Sequence, residues 1–331
     1  MLHRLKKHKL IAAGGITVVF ATVLALIATR DGGPEYEGRT AKYWASELMR
    51  DKARSRKALL AIGPDAAVPA LAAVVRGKDS RVWVWLEPHR SRLPAWITRR
   101  LPSPSRNRFL RESAIEMLYE FGPAAAPAAA ELLKAAIATS DFSSGGFFTA
   151  SIAHGALLRI GDAALPHLTQ LLSDGNPKAR ASAADYIGRI GPGAGESAGA
   201  LAKLLQDTIP AVREAAVAAL ARIGPPAREA LPALRRMLKL DSGYDRIRVM
   251  EALWRIGDEA GDVLPILIRM VANPNDANRA RAATLLGEMG PAAKSAVPVL
   301  TALTREEFSY TRVKAEEALR QIEPVEHRVP P

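Results

Sequence analysis

Along most of this chain, apolar residues recur at fixed distances before a glycine. The glycines are Gly63, Gly122, Gly161, Gly191, Gly224, Gly257 and Gly290, in steps of 59, 39, 30, 33, 33 and 33, and a further 33 falls on Glu323. One position earlier stand Ile62, Phe121, Ile160, Ile190, Ile223, Ile256, Met289 and Ile322. Four earlier stand Leu59, Leu118, Leu157, Ile187, Leu220, Leu253, Leu286 and Leu319, and eight earlier mostly small residues such as Ala114, Ala153, Ala183, Ala216 and Ala282. Offsets of 1, 4 and 8 trace one face of an α-helix, with small residues where helices approach closely. The glycine ends that helix as a C-cap, and Pro64, Pro123, Pro192, Pro225 or Pro291 keeps it from continuing. A second short apolar helix follows, often with proline in its first turn, as in VPALAAVV, LPHLTQLL, LPALRRML, LPILIRMV and VPVLTALT.

Two helices in about 33 residues, neither able to bury its apolar face alone, predict an all-α solenoid of stacked hairpins. Units such as DTIPAVREAAVAALARIGPPAREALPALRRMLKL resemble HEAT repeats, in particular the bacterial class called PBS-lyase-like. The resemblance spans residues 40–323 and implies a right-handed α-solenoid of about eight helix pairs, leaving a tail at 324–331. The Trp/Tyr/Pro pattern of tetratricopeptide repeats and the TPLH of ankyrin are not present.

Two polar columns accompany the apolar ones. Lys52, Arg111, Arg180, Arg213, Arg246 and Arg279 stand eleven before the glycine, with Arg312 in phase before Glu323, and Asp174, Asp207, Asp241 and Glu306 precede several of them. In HEAT-like arrays such an Asp/Arg pair resembles the ladder that ties each turn to the next, a structural role. Arg159, Arg189, Arg222 and Arg255 stand two before the glycine. The resemblance places their helix on the concave face, where they, with Trp254 and acids such as Asp185 and Glu251, form a candidate groove for a protein partner of acidic or mixed charge.

The N-terminus departs from the repeat. After the basic residues 1–9, Leu10–Ala28 is 19 residues without a charge. At ~1.5 Å per residue such a helix approaches the ~30 Å core of a bilayer. Arg4, Lys6, Lys7 and Lys9 put the N-terminus in the cytoplasm. The expectation is a transmembrane or signal-anchor helix and a linker at 29–39. The solenoid then lies outside the inner membrane, in the periplasm, or is secreted if the segment is a cleaved signal peptide.

Composition agrees with packed helices. The chain is 48% hydrophobic but only 5% aromatic, so its interior rests on Ala, Leu, Ile and Val, and with no cysteine it has no disulfide or thiolate chemistry. The net charge of +12 suggests nucleic acid until it is located: residues 1–30 carry +5, residues 81–111 carry +7, and the rest is neutral. A nucleic-acid-binding solenoid would spread its cations along the groove, so no nucleic-acid partner is expected.

The second cationic stretch is a Trp/Arg/Pro-rich insert at 81–108, read as an enlarged loop between the two helices of the second pair. Trp83, Trp85, Arg90, Arg92, Trp96, Arg99 and Arg100 are its candidate contact residues. Its prolines forbid a long helix, and a short turn fits around Trp96–Leu101. Its tryptophans either fold back to cap the array or touch lipid or a partner at the membrane surface.

Catalytic signals are missing. GESAG, Gly195–Gly199, matches the nucleophile-elbow string, but Ser197 falls in a repeat loop with no strand before it. The six histidines show no metal-ligand spacing. The expectation is no catalytic residue, no cofactor and no metal, and a scaffold that binds a protein through its concave face or its insert. The alternatives are a lyase-like enzyme accessory holding a small ligand and a structural envelope spacer.

Overall fold

The computed structural model describes residues 33–77, 104–138, 146–240, 245–257, 260–306 and 309–323. The candidate anchor Leu10–Ala28, the tail 324–331 and all seven candidate contact residues of the insert lie outside these ranges. The described residues fall into two compact units, divided between Leu118 and Tyr119.

The first unit opens with a two-stranded antiparallel hairpin, β1 (Glu35–Tyr36) and β2 (Arg39–Thr40), followed by α1 (Ala41–Glu47), α2 (Lys52–Ile62), α3 (Pro64–Arg76) and the start of α4 (Pro104–Phe121). The expected linker at 29–39 is therefore folded from residue 35. Glu37 and Gly38 both take positive φ, 51° and 68°, the geometry that lets a two-residue turn match the twist of its strands. The hairpin is held by Trp44, whose indole N–H donates to the Tyr36 carbonyl at 3.1 Å and whose ring meets Tyr36 edge-on at 6.2 Å. Arg54 lies over the same indole and pairs with Glu37. Helix α4 begins at Pro104, where the missing N–H costs no hydrogen bond, so residues 104–108 are helix rather than insert loop.

The second unit continues with α5 (Ala129–Ala138), α6 (Gly146–Ile160), α7 (Leu165–Leu171), α8 (Pro177–Ile190), α9 (Ala198–Leu204), α10 (Pro210–Ile223), α11 (Leu231–Leu240) and α12 (Asp245–Gly257). It closes with α13 (Ala260–Ala272), α14 (Arg279–Glu288), α15 (Val297–Leu303) and α16 (Tyr310–Ile322). Within this unit each odd-numbered helix packs on the even-numbered helix after it, from α5 on α6 to α15 on α16, the odd one being the shorter except at α13, which is longer than α14. Long helices also stack on long helices, which is the α-solenoid arrangement. The apolar columns form the interior: Leu157, Ile187, Leu220, Leu253, Leu286, Ala183, Ala216 and Ala282 are all buried.

The glycines end the long helices in left-handed backbone, with φ of 78° at Gly191 and 70° at Gly224, where a Cβ would be strained. Beyond the glycine the chain does not enter the single short helix of the sequence pattern directly. A 3₁₀ turn comes first, at Gly161–Ala164, Gly191–Ser197, Pro225–Ala230 and Gly290–Ala296; after the first, third and fourth of these the α-helix starts beside the next proline, Pro166, Pro232 or Pro298, whereas α9 starts at Ala198 without one. In those three the missing proline N–H falls where the hydrogen-bond pattern switches, and no ladder bond is lost.

Residue size three positions before the glycine grades how closely successive long helices lie. Gly188 on α8 is so near α10 that a Cβ there would sit 2.6 Å from the Ala219 Cα, and at Gly287 it would sit 2.9 Å from the Ala318 Cα of α16. The α8–α10 and α14–α16 contacts are accordingly extensive. With Ala221 in that position α10 and α12 meet less fully, and with Trp254 there α12 and α14 touch only lightly. Gly155, by contrast, has nothing within 4 Å of a built Cβ. Two alanine substitutions should therefore move stability in opposite directions in urea unfolding followed by circular dichroism. Gly188→Ala should destabilise by about 1–3 kcal/mol through overpacking, whereas Gly155→Ala should stabilise by about 0.5–1 kcal/mol through helix propensity.

Candidate functional site

Both arginine columns leave the long helices, one from their first turn and one from their last. At the first turn, Arg180 of α8 donates through Nε and Nη2 to Asp207 at 2.7 and 3.0 Å, and through Nη1 to the Asp174 carbonyl at 2.9 Å. Arg213 of α10 donates to the Asp207 carbonyl at 3.0 Å. Arg279 of α14 repeats the pattern with Glu306 at 2.8 Å and the Val271 carbonyl at 3.0 Å. Each such arginine closes the carbonyl end of one short helix, and Arg180 and Arg279 also grip the acid after the next, so the column is a structural ladder. Arg312, in the last repeat, turns instead to Glu316 of its own helix at 2.9 Å.

The ladder shifts its carboxyls. Asp207 is held below the ordinary aspartate range, chiefly by the Arg180 side chain, against the opposing effect of burial, and with help from the Ile209 N–H. Asp174 is lowered by the Asn176 N–H and then by Lys134.

At the last turn, charges alternate from helix to helix. Asp185 of α8 accepts from Arg189 of its own helix at 2.8 Å and from Arg222 of α10 at 2.7 Å. Glu251 of α12 pairs with Arg255 at 3.0 Å and with Arg281 of α14 at 3.7 Å. Arg255 also reaches Glu288, and Arg248 reaches Glu214 at 3.6 Å. Exposed pairs of this kind add little stability one by one. Together they hold the guanidinium groups in fixed places across successive repeats.

Between α10 and α12 the face dips into a hollow of about 180 Å³. Its floor is Val217, Ala218 and Ala221, and its rim is Arg222, Arg248, Arg255 and Arg281 with Glu251. Of the expected groove residues, Arg222 and Arg255 meet here. Arg189 stands one helix away, joined through Asp185, and Arg159 lies over the Tyr119 ring at 4.9 Å. Trp254 is half-buried and does not line the hollow. Arg248 and Arg281 are not in the predicted groove because they stand nine residues before the glycine, two helical turns from the last-turn column. Spacing of i and i+7 from Arg248 to Arg255 is the signal in the sequence that points to them.

Other signals resolve into packing. Ser197 is 3% exposed, sits in a 3₁₀ turn, and shares a hydrogen bond of 2.8 Å with Thr169. His154 bonds the Ala150 carbonyl through Nδ1 and lies against Tyr186, whose buried hydroxyl has its pKa raised by desolvation. Among the described residues no group of His, Asp or Glu is placed to hold a metal.

Comparison with known proteins is specific on one point. The HEAT-repeat family matches residues 165–254 and 239–320. The matched residues, 165–320, are similar to HEAT repeats. They run from α7 to α16 and contain the whole arginine-rimmed hollow. Among solved structures, a Kap121p mutant aligns with a TM-score of 0.50 at 14% identity, covering 84% of this chain and 34% of that one. This chain thus spans about a third of that protein's length. An engineered protein aligns with a TM-score of 0.40 at 22% identity over 63% of this chain and 96% of its own. The CpcE–CpcF complex of phycocyanin lyase from Nostoc sp. PCC7120 has a TM-score of 0.35 at 17% identity, with 89% and 97% covered. At 14% identity the likeness to Kap121p is one of fold alone. No curated protein matches the sequence.

The pKa shifts set the acid behaviour of the structural ladder. Both Asp207 and Asp174 are depressed on folding, so the stability they contribute is complete above the ordinary aspartate value of about 4 and is lost as pH falls through the lower folded value. Asp207→Asn should be less stable than the parent at neutral pH, and the gap should narrow below about pH 4 in urea titrations across that range.

Proposed function

We propose that the chain is a scaffold that binds a protein partner through the last-turn face of its long helices. The observation that carries this reading is the hollow between α10 and α12, where four arginines surround one acid over an apolar floor. Arginine above a small apolar patch is a composition that recurs at binding hot spots. The bridging acids fix the guanidiniums before a partner arrives, which lowers the entropy cost of binding.

The same reading gives the chain no catalysis of its own, and neither Ser197 nor the histidines take part in chemistry. It anchors the array by Leu10–Ala28, with the repeats on the far side of the inner membrane. Arg90, Arg92, Arg99, Arg100 and the tryptophans Trp83, Trp85 and Trp96 add a contact with lipid or partner near the membrane. Among the described residues no helix is long and apolar enough to cross a membrane, and the proposed span lies outside them.

Crosslinking in living cells, with mass spectrometry of material purified through the full chain, tests the scaffold. A recurring stoichiometric protein is expected. A tightly bound small molecule in its place would favour a lyase-like accessory, and neither would leave a spacer. Fusing alkaline phosphatase after residue 323 should give active enzyme if the repeats lie outside the cytoplasm, and inactive enzyme if they lie within it.

A further inference from the structure

One residue that lines the hollow breaks a pattern on its neighbours. Six positions before the glycine stand Asp185 on α8, Ala218 on α10 and Glu251 on α12. Each of the two acids bridges an arginine of its own helix and an arginine of the next. Ala218 occupies the equivalent place on α10 without a carboxylate, and it lines the hollow. Arg222 of the same helix and Arg255 of the next rim that hollow, the two residues that an acid at 218 would bridge.

We propose that the hollow lined by Ala218 receives an aspartate or glutamate side chain of the partner, which bridges Arg222 and Arg255 as Asp185 bridges Arg189 and Arg222. The proposal rests on the scaffold reading and names the chemistry its face selects. Four arginines and one acid, Glu251, line the hollow itself, while Asp185, Glu214 and Glu288, which pair with Arg222, Arg248 and Arg255, are not among its lining residues. Ala218, Ala221 and Val217 supply an apolar floor for the methylenes that carry a carboxylate. A guanidinium has five donors, so one already bonded to an internal acid can donate to a second carboxylate. Asp185, Glu214, Glu251 and Glu288 interleave with the arginines on this face. They repel a chain that carries a phosphate at every residue but tolerate one acid on an otherwise neutral peptide.

The test uses the full chain in detergent micelles at low salt, with fluorescent peptides blocked at both ends. One carries a single glutamate among alanines and serines, and its counterpart carries glutamine there. The glutamate peptide should bind at least about tenfold more tightly, the effect of one charge-assisted bond. Arg222→Gln and Arg255→Gln should each abolish that preference, while Arg235→Gln, whose side chain pairs with Asp262 at 2.9 Å away from the hollow, should keep it. Ala218→Asp supplies the carboxylate from within, so it should lose the preference while its melting temperature stays equal or rises. Equal binding of the two peptides, a preference that survives in Ala218→Asp, or tighter binding of a single-stranded oligonucleotide overturns the proposal. If cell crosslinking captures a partner equally well with parent and Ala218→Asp, this inference fails while the scaffold stands. If no partner is captured yet the peptide preference holds, the scaffold reading fails alone.

Discussion

How near one long helix can lie to the next is the constraint on which the rest of the second unit depends. Each helix pair has an apolar face too small to sustain itself, so the repeats fold only by stacking. Stacking distance is set where the helices cross, three residues before the capping glycine. Gly188 and Gly287 let backbone meet backbone, whereas α10 and α12, with Ala221 in that place, meet less fully, and α12 and α14, with Trp254 there, only lightly. A single column thus tunes the local spacing of an array whose other columns hardly vary.

That spacing decides what the polar columns can do. The first-turn Arg180 reaches an acid one repeat ahead, and the same guanidinium closes the carbonyl end of the short helix behind it. The last-turn arginines face solvent, where the acid six before the glycine joins neighbours into a chain of alternating charge. Ala218 stands where α8 and α12 carry that acid, and a hollow lined by four arginines and Glu251 opens beside it. Structure and proposed recognition therefore use the same side-chain types and differ only in whether the partner acid is internal.

Much of this was legible in the sequence because the repeat reports itself many times. The apolar columns at 1, 4 and 8 before the glycine, the helix-ending glycines and the structural ladder all needed only periodicity and local geometry. The 3₁₀ turns were hidden, because proline after glycine marks the end of a helix without fixing the hydrogen-bond pattern beyond it. The hairpin at 35–40 was hidden too, since two-residue strands have no period to detect and are held by a distant indole, Trp44.

The candidate site divides the same way. Arg222 and Arg255 lie in a column and could be chosen from sequence, but Arg159 shares that column and rests on Tyr119 instead. Arg248 and Arg281 come from a different offset and from different helices, and only packing brings them to one rim. The sequence by itself determined the elements, their order and the residues turned inward, because those follow from local periodicity and backbone sterics. Which exposed charges meet, and where a hollow opens among them, only the tertiary structure decided, because these depend on distances between helices that side-chain volume sets across the stack.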